Sequence, residues 1–182
     1  AIHSFNFDLA TGALKPLQRT TSVQNPFFLA LSPDKKFLYS IHALKFGSKD
    51  AEEIAAFKLL GNDGKLELLN KQSAKGSAAC YLHVDNSGKT VVVANYSTGS
   101  VASLPVKADG SLGEPASFVQ HVGSSVNPAR QKEPHAHCIV VSPDNKYAFA
   151  ADLGLDQILC YKLDSKQGKI TPNDPAFAKA PA

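Results

Sequence analysis

Three segments of this chain repeat one another: SPDKKFLYSIHA (Ser32 to Ala43), NSGKTVVVANY (Asn86 to Tyr96) and SPDNKYAFAADL (Ser142 to Leu153). With Lys36, Lys89 and Lys146 in register, the spacings are 53 residues (89 − 36) and 57 (146 − 89). A second motif follows each copy: IAAFKLLGNDGKL from Ile54, VASLPVKADGSL from Val101 and ILCYKLDSKQGKI from Ile158. It also opens the chain as IHSFNFDLATGAL from Ile2, so four copies of the second motif stand against three of the first. Repetition at such a period means one supersecondary unit stacked on copies of itself.

Each unit reads as four short strands rich in Val, Ile, Phe and Tyr and bounded by turn residues. The first strand runs through Phe27 to Leu31 or Cys138 to Val141. A Pro-Asp-x-Lys turn leads to the second, Phe37 to Ile41 or Tyr147 to Ala151. The third, such as Ile158 to Leu163, ends in a turn at Gly12, Gly64, Gly110 or Gly168, and the fourth begins at Leu14, Leu66, Leu112 or Ile170. Capped helix-period stretches are missing, and the acidic piece Ser48 to Glu53 reads as at most a turn. The pattern predicts an all-β chain, a β-propeller of four-stranded antiparallel blades. A β-sandwich has no reason to repeat its turn motif in register. Residues 1–25 form the end of one blade, and 26–77, 78–134 and 135–182 form successive blades.

Half a blade plus three blades reads as about half of a larger ring, because an open arc leaves apolar blade faces and strand edges uncovered. The rival reading is a complete four-bladed ring with one split blade. The absence of methionine adds the expectation that the start has been processed or that the chain is part of a longer protein.

Composition excludes several classes. Nineteen Lys and Arg against 16 Asp and Glu give a charge of +3 without a basic run, so nucleic acid is not an expected partner. No stretch approaches the 18 apolar residues of a membrane span. Cys80, Cys138 and Cys160 are odd in number and embedded in apolar runs, which predicts buried thiols in a reducing, cytoplasmic compartment. Only two residues are arginines, Arg19 and Arg130.

Arg130 belongs to the polar stretch RQKEPHAH, Arg130 to His137. In an antiparallel meander the start of the first strand and the end of the second share one rim. That puts His135, His137 and Asp152 on one face of the disc, with Arg130 in the connection feeding it. Asn95 and His42 hold the Asp152 position in the preceding blades. A spacing of two points both histidines to one side.

The segment PHAH (Pro134 to His137), preceded by Arg130-Gln131 and followed by SPD and by Asp152-Leu153-Gly154-Leu155-Asp156, resembles the seven-bladed propeller lactonases. That family includes 6-phosphogluconolactonases and the fungal carboxymuconate-lactonizing enzyme. VVVANYSTGSV, Val91 to Val101, is similar to the family's preceding blade. The resemblance implies a seven-bladed ring of which this chain covers about three and a half blades, with the missing blades of the same propeller as its partner. It also implies a Gly-Pro-Arg-His segment and a second-strand glutamate beyond Ala182, so these residues would hold about half of the active site.

The resemblance implies hydrolysis of a sugar lactone, with 6-phosphogluconolactone as the small-molecule substrate, and without a cofactor or metal. A histidine of the PHAH pair would act as general base and Arg130 as anion clamp. Asp152 and Asn95 would orient the base or bind sugar hydroxyls, with Tyr96 and His42 as further substrate contacts; which histidine is the base stays open. Each assignment has a structural counterpart. The histidines could be strand-end groups bonded to backbone, Asp152 a turn cap, Arg130 a solvated loop residue, and Tyr96 packing between blades. His-x-His with Glu133 or Asp152 could instead ligate a metal. His83 reads as a structural strand residue, and His121 carries no motif. Carboxymuconate cycloisomerisation, or a non-enzymatic propeller presenting the same rim to a partner, are the alternative functions.

Overall fold

The computed structural model describes residues 1–45 and 50–180; Ser48 and Lys49 of the acidic piece lie outside the described residues. Fourteen strands and no helix occur among the described residues. A two-stranded sheet pairs β1 (Ile2–Phe7) with β2 (Leu14–Thr20). Blade 1 orders β3 (Leu29–Leu31), β4 (Phe37–His42), β5 (Glu53–Leu60) and β6 (Lys65–Ser73). Blade 2 contains β7 (Ala79–Val84), β8 (Thr90–Asn95), β9 (Ser100–Pro105) and β10 (Ser117–Gln120). Blade 3 contains β11 (Ala136–Val141), β12 (Tyr147–Asp152), β13 (Gln157–Asp164) and β14 (Lys169–Lys179). Every neighbouring pair is antiparallel, and Ile54, Val101 and Ile158 fall in third strands, with Ile2 in the matching strand of the two-stranded sheet.

The middle blade shows why runs such as Thr90 to Asn95 are apolar without a polar face. All six residues of β8 are buried. Strand side chains alternate between faces: Val91 and Val93 pack with Tyr39, Ile41 and Ile54 of blade 1, while Val92 and Ala94 pack with Ile139, Ala148 and Ala150 of blade 3. Each fully buried Val or Ile contributes about 1.5–3 kcal/mol of transfer free energy, so two such faces hold three blades in face-to-face register. On the other side of blade 1, Leu38, Ala55 and Phe57 cover Ile2 and Val23 of the opening segment.

One expectation is corrected. The fourth strand of blade 2 begins at Ser117 rather than Leu112. Leu112 makes only an isolated bridge to Val106, because its main chain is captured by the neighbouring blade: its N–H donates to Asn70 Oδ1 at 2.9 Å and its carbonyl accepts from Asn70 Nδ2 at 2.8 Å. Pro115 follows, without an N–H for the ladder, and pairing resumes at Ser117 with Ser103.

The two ends of the arc are not covered in this way. Tyr147 and Ile158 of blade 3 are 36% and 43% exposed, and Phe5 and Leu14 of the opening sheet 46% and 62%. Apolar faces of this kind associate. Sedimentation velocity on the isolated 182-residue chain is expected to show concentration-dependent self-association, and a monomer across the whole concentration range would contradict it.

Candidate active site

The site grows from a tight crossing of main chains. Two glycines pinch the segment Glu133-Pro134 that leads into the histidines: a Cβ on Gly99 would run into the Pro134 carbonyl, and one on Gly154 into the Glu133 carbonyl. Gly99 also has φ +56°, a left-handed value that favours glycine. Blade 2 therefore grips the segment from one side and blade 3 from the other. Leu153 N–H donates to the His135 carbonyl at 3.0 Å and fixes the entry to β11.

Tyr96, just after β8, lies at the centre of the resulting group. Its ring stacks on His135 with centroids 4.5 Å apart and planes 14° apart, and His137 meets it edge-on at 5.7 Å. Arg130 Nη2 donates to the Tyr96 hydroxyl at 3.4 Å. The Tyr96 carbonyl lies 3.1 Å from His135 Nδ1. A carbonyl only accepts, so Nδ1 carries the proton and Nε2 of a neutral ring keeps its lone pair. An open depression of about 660 Å³ is lined by Tyr96, Arg130, His137, Leu153, Asp156 and Ile158 among others. The strict alternation expected of the two histidines is broken, since the register between β11 and β12 shifts between Ala136 and Cys138, leaving His137 exposed at the depression.

Asp152 is drawn into the same region but its carboxylate is wholly buried. Oδ1 accepts the main-chain N–H groups of His135 at 2.7 Å and Gly154 at 2.9 Å, and Oδ2 lies 2.6 Å from His121 Nδ1. It orients the PHAH entry, and burial of both oxygens keeps them from sugar hydroxyls. Among the described residues no three His, Cys, Asp or Glu side chains form a metal cluster.

Three of the expected site residues are not among those that line the depression: His135, Asn95 and His42. Asn95 is fully buried behind it, its Nδ2 donating to the Ala74 carbonyl at 3.0 Å and to Ser100 Oγ at 3.2 Å. His42 lines a different hollow with Leu44, Glu52 and Glu53, and its Nδ1 accepts the Gln24 N–H at 2.9 Å. Burial, followed by the nearby Lys71 ammonium, pushes the His42 imidazole below its usual range. Strand register gives Asn95 and His42 the right level along the blade but the wrong surroundings. His83 accepts the Val141 N–H at 3.4 Å across the blade 2 to blade 3 boundary.

Three residues that hold the site have no role in the sequence reading. The Gln131 amide donates to the Leu153 carbonyl at 2.8 Å and to Asp156 Oδ1 at 2.6 Å, while its Oε1 accepts the Asn127 N–H at 2.8 Å. Ser125 Oγ donates to the other Asp156 oxygen at 2.5 Å. Gln131 and Asp156 thus tie the connection carrying Arg130 to the turn after β12. Both stand within the motif around PHAH, which was the available signal; His121, the third, offered none.

A propeller arc with an arginine, two histidines and a tyrosine at one rim is the architecture of a propeller enzyme. The family model Lactonase, 7-bladed beta-propeller, matches residues 1–182, and the chain belongs to that family. It is 35% identical over 170 residues to the 6-phosphogluconolactonase of Bacillus subtilis, covering 93% of this chain and 47% of that protein. Against the 6-phosphogluconolactonase of Formosa agariphila identity is 34%, covering 91% and 47%. Among solved structures, the periplasmic gluconolactonase of Pseudomonas aeruginosa superposes with a TM-score of 0.86 at 33% identity, covering 97% of this chain and 50% of that one. The chain spans about half the length of the curated relatives it matches.

The pinch point can be tested directly. Gly154→Ala in the full-length protein is expected to displace the Glu133-Pro134 segment, since the backbone it meets cannot rotate away as a side chain can. A 1 Å shift of a catalytic group costs about a hundredfold, so turnover should fall at least about tenfold with the protein still folded. Wild-type turnover in a folded Gly154→Ala protein would remove the pinch from the account.

Proposed function

We propose that this rim is part of a lactone-hydrolysing site whose substrate is 6-phosphogluconolactone, with His135 as general base and Arg130 as anion clamp. The observation that carries the reading is the contact of His135 Nδ1 with the Tyr96 carbonyl. With Nδ1–H held on the Tyr96 carbonyl and the ring stacked on Tyr96, Nε2 is left as the acceptor, and an oriented neutral imidazole is suited to take a proton at neutral pH. The names of the relatives supply the reaction class.

In this mechanism Nε2 accepts a proton as water attacks the lactone carbonyl. The carbonyl C=O becomes a tetrahedral oxyanion; its collapse breaks the ring C–O bond, and the imidazolium returns the proton to the departing alkoxide. Water is consumed and a hydroxy acid is formed. The guanidinium of Arg130 has five N–H donors, of which the Tyr96 hydroxyl engages Nη2, so donors remain for a phosphate or carboxylate. His137, exposed at the depression, would bind the lactone or its developing charge.

The uncovered faces of blade 3 and of the opening sheet would be closed by the remaining blades of the ring; the self-association expected of the isolated chain tests this. Cys80, Cys138 and Cys160 are all free, and burial pushes the Cys80 thiol up to about 12. Only Cys80 is buried, whereas Cys138 and Cys160 are half-buried rather than buried as their apolar runs suggested; a cytoplasmic location is the proposal, which cell fractionation checks.

Acid release from 6-phosphogluconolactone by the full-length protein is the decisive assay. His135→Asn should lower kcat by about two to four orders of magnitude with the fold intact. Arg130→Lys should chiefly raise KM, because Lys keeps the charge and loses the planar fork. Unchanged kinetics in both folded variants would reject the site.

A further inference from the structure

One fully buried polar group near the site is not used by the proposed chemistry. His121 follows β10 of blade 2, and its side chain is fully buried. Its main-chain N–H donates to the carbonyl of Gly99, the blade 2 glycine that presses on Pro134, at 3.0 Å. Its ring reaches across to blade 3, where Nδ1 lies 2.6 Å from Asp152 Oδ2 and Nε2 lies 2.7 Å from the Tyr161 hydroxyl. Tyr161 is itself buried, and burial first, then the Asp152 charge, raises its phenol so that it keeps its proton.

These contacts have one consistent direction. The Tyr161 O–H donates to His121 Nε2, His121 Nδ1–H donates to Asp152 Oδ2, and Asp152 Oδ1 accepts the main-chain N–H of His135 at 2.7 Å. His121, Asp152 and Tyr161 are all buried, so the geometry of the chain is set by the packing of blades 2 and 3 around it. A buried carboxylate needs such donors: without His121, Asp152 would keep two N–H groups on Oδ1 and have nothing on Oδ2. It would then move, or take up a proton, and release the residue that begins the histidine pair.

We propose that His121 is a positioning residue for the lactonase site. Acting through the Asp152 carboxylate, it sets where His135 stands against Tyr96, so that the packing of blade 2 on blade 3 is read out at the general base. The inference rests on the assignment of His135 as base.

The test uses four variants of the full-length protein, His121→Phe, His121→Asn, His121→Gln and His135→Asn, with kcat and KM measured on each and the His135 amide proton shift measured on the three His121 variants. His121→Phe should stay folded, lose about ten- to a hundredfold in kcat with KM within about twofold, and move the His135 amide shift upfield as its bond to the carboxylate loosens. Asparagine can stand its amide N–H near the Nδ1 position and should restore most of the turnover, whereas glutamine, whose amide falls near Nε2, should not. A purely structural role would lower the melting temperature of all three and leave kcat alone. Wild-type kcat in folded His121→Phe overturns the proposal. If that variant does not fold, equal turnover in the Asn and Gln variants overturns it and a clear advantage for Asn supports it. The His135→Asn control separates the two readings: a large loss there with none at His121 defeats this inference alone, while full activity in His135→Asn defeats the base assignment and this inference with it.

Discussion

Everything at the rim depends on the burial of blade 2 on both faces. Because β8 sends alternate side chains into blade 1 and blade 3, the three sheets cannot slide or tilt independently without exposing Val91 and Val93 on one side or Val92 and Ala94 on the other. Interiors packed to crystal-like density transmit position. The core therefore determines that Tyr96, just after the second strand of one blade, meets His135, at the start of the next. The site is built between blades, and no single blade contains it.

The close approach then does the chemical preparation. Gly99 and Gly154 let two main chains reach the Glu133-Pro134 segment where side chains would hold them apart. The approach brings the Tyr96 carbonyl to the His135 ring and the Asp152 carboxylate to the His135 N–H. A single residue is fixed by its ring nitrogen, its ring face and its main chain. Arg130 is tied down through Gln131 and Asp156 and through its own contact with the Tyr96 hydroxyl, so Tyr96 links it to His135.

The strand pattern was readable because the repeat supplies its own alignment, and a Pro-Asp-x-Lys turn means the same thing at Ser32 and at Ser142. It misled at Leu112, where Asn70 of another blade takes the main-chain partners that a local reading assigns to β9. Register likewise set Asn95 and His42 level with Asp152 without revealing that Asn95 turns into the core and His42 into another hollow. PHAH was legible as a rim segment, but what distinguishes its two histidines was not, since it depends on a carbonyl 39 residues away in sequence. His121 was invisible for the same reason: its partners are 31 and 40 residues distant and on a different blade.

The central claim is that an anionic sugar acid docks at the rim formed by Tyr96, Arg130, His135 and His137. A crystal structure of the full-length protein with 6-phosphogluconate, the product of the proposed reaction, tests it most directly. The account predicts a phosphate or carboxylate within hydrogen-bond distance of the Arg130 guanidinium and the sugar carbons over the histidine pair. Product bound instead at the opposite rim, in the hollow lined by Ser32, Lys89 and Lys166, with the Arg130 site empty, would contradict it.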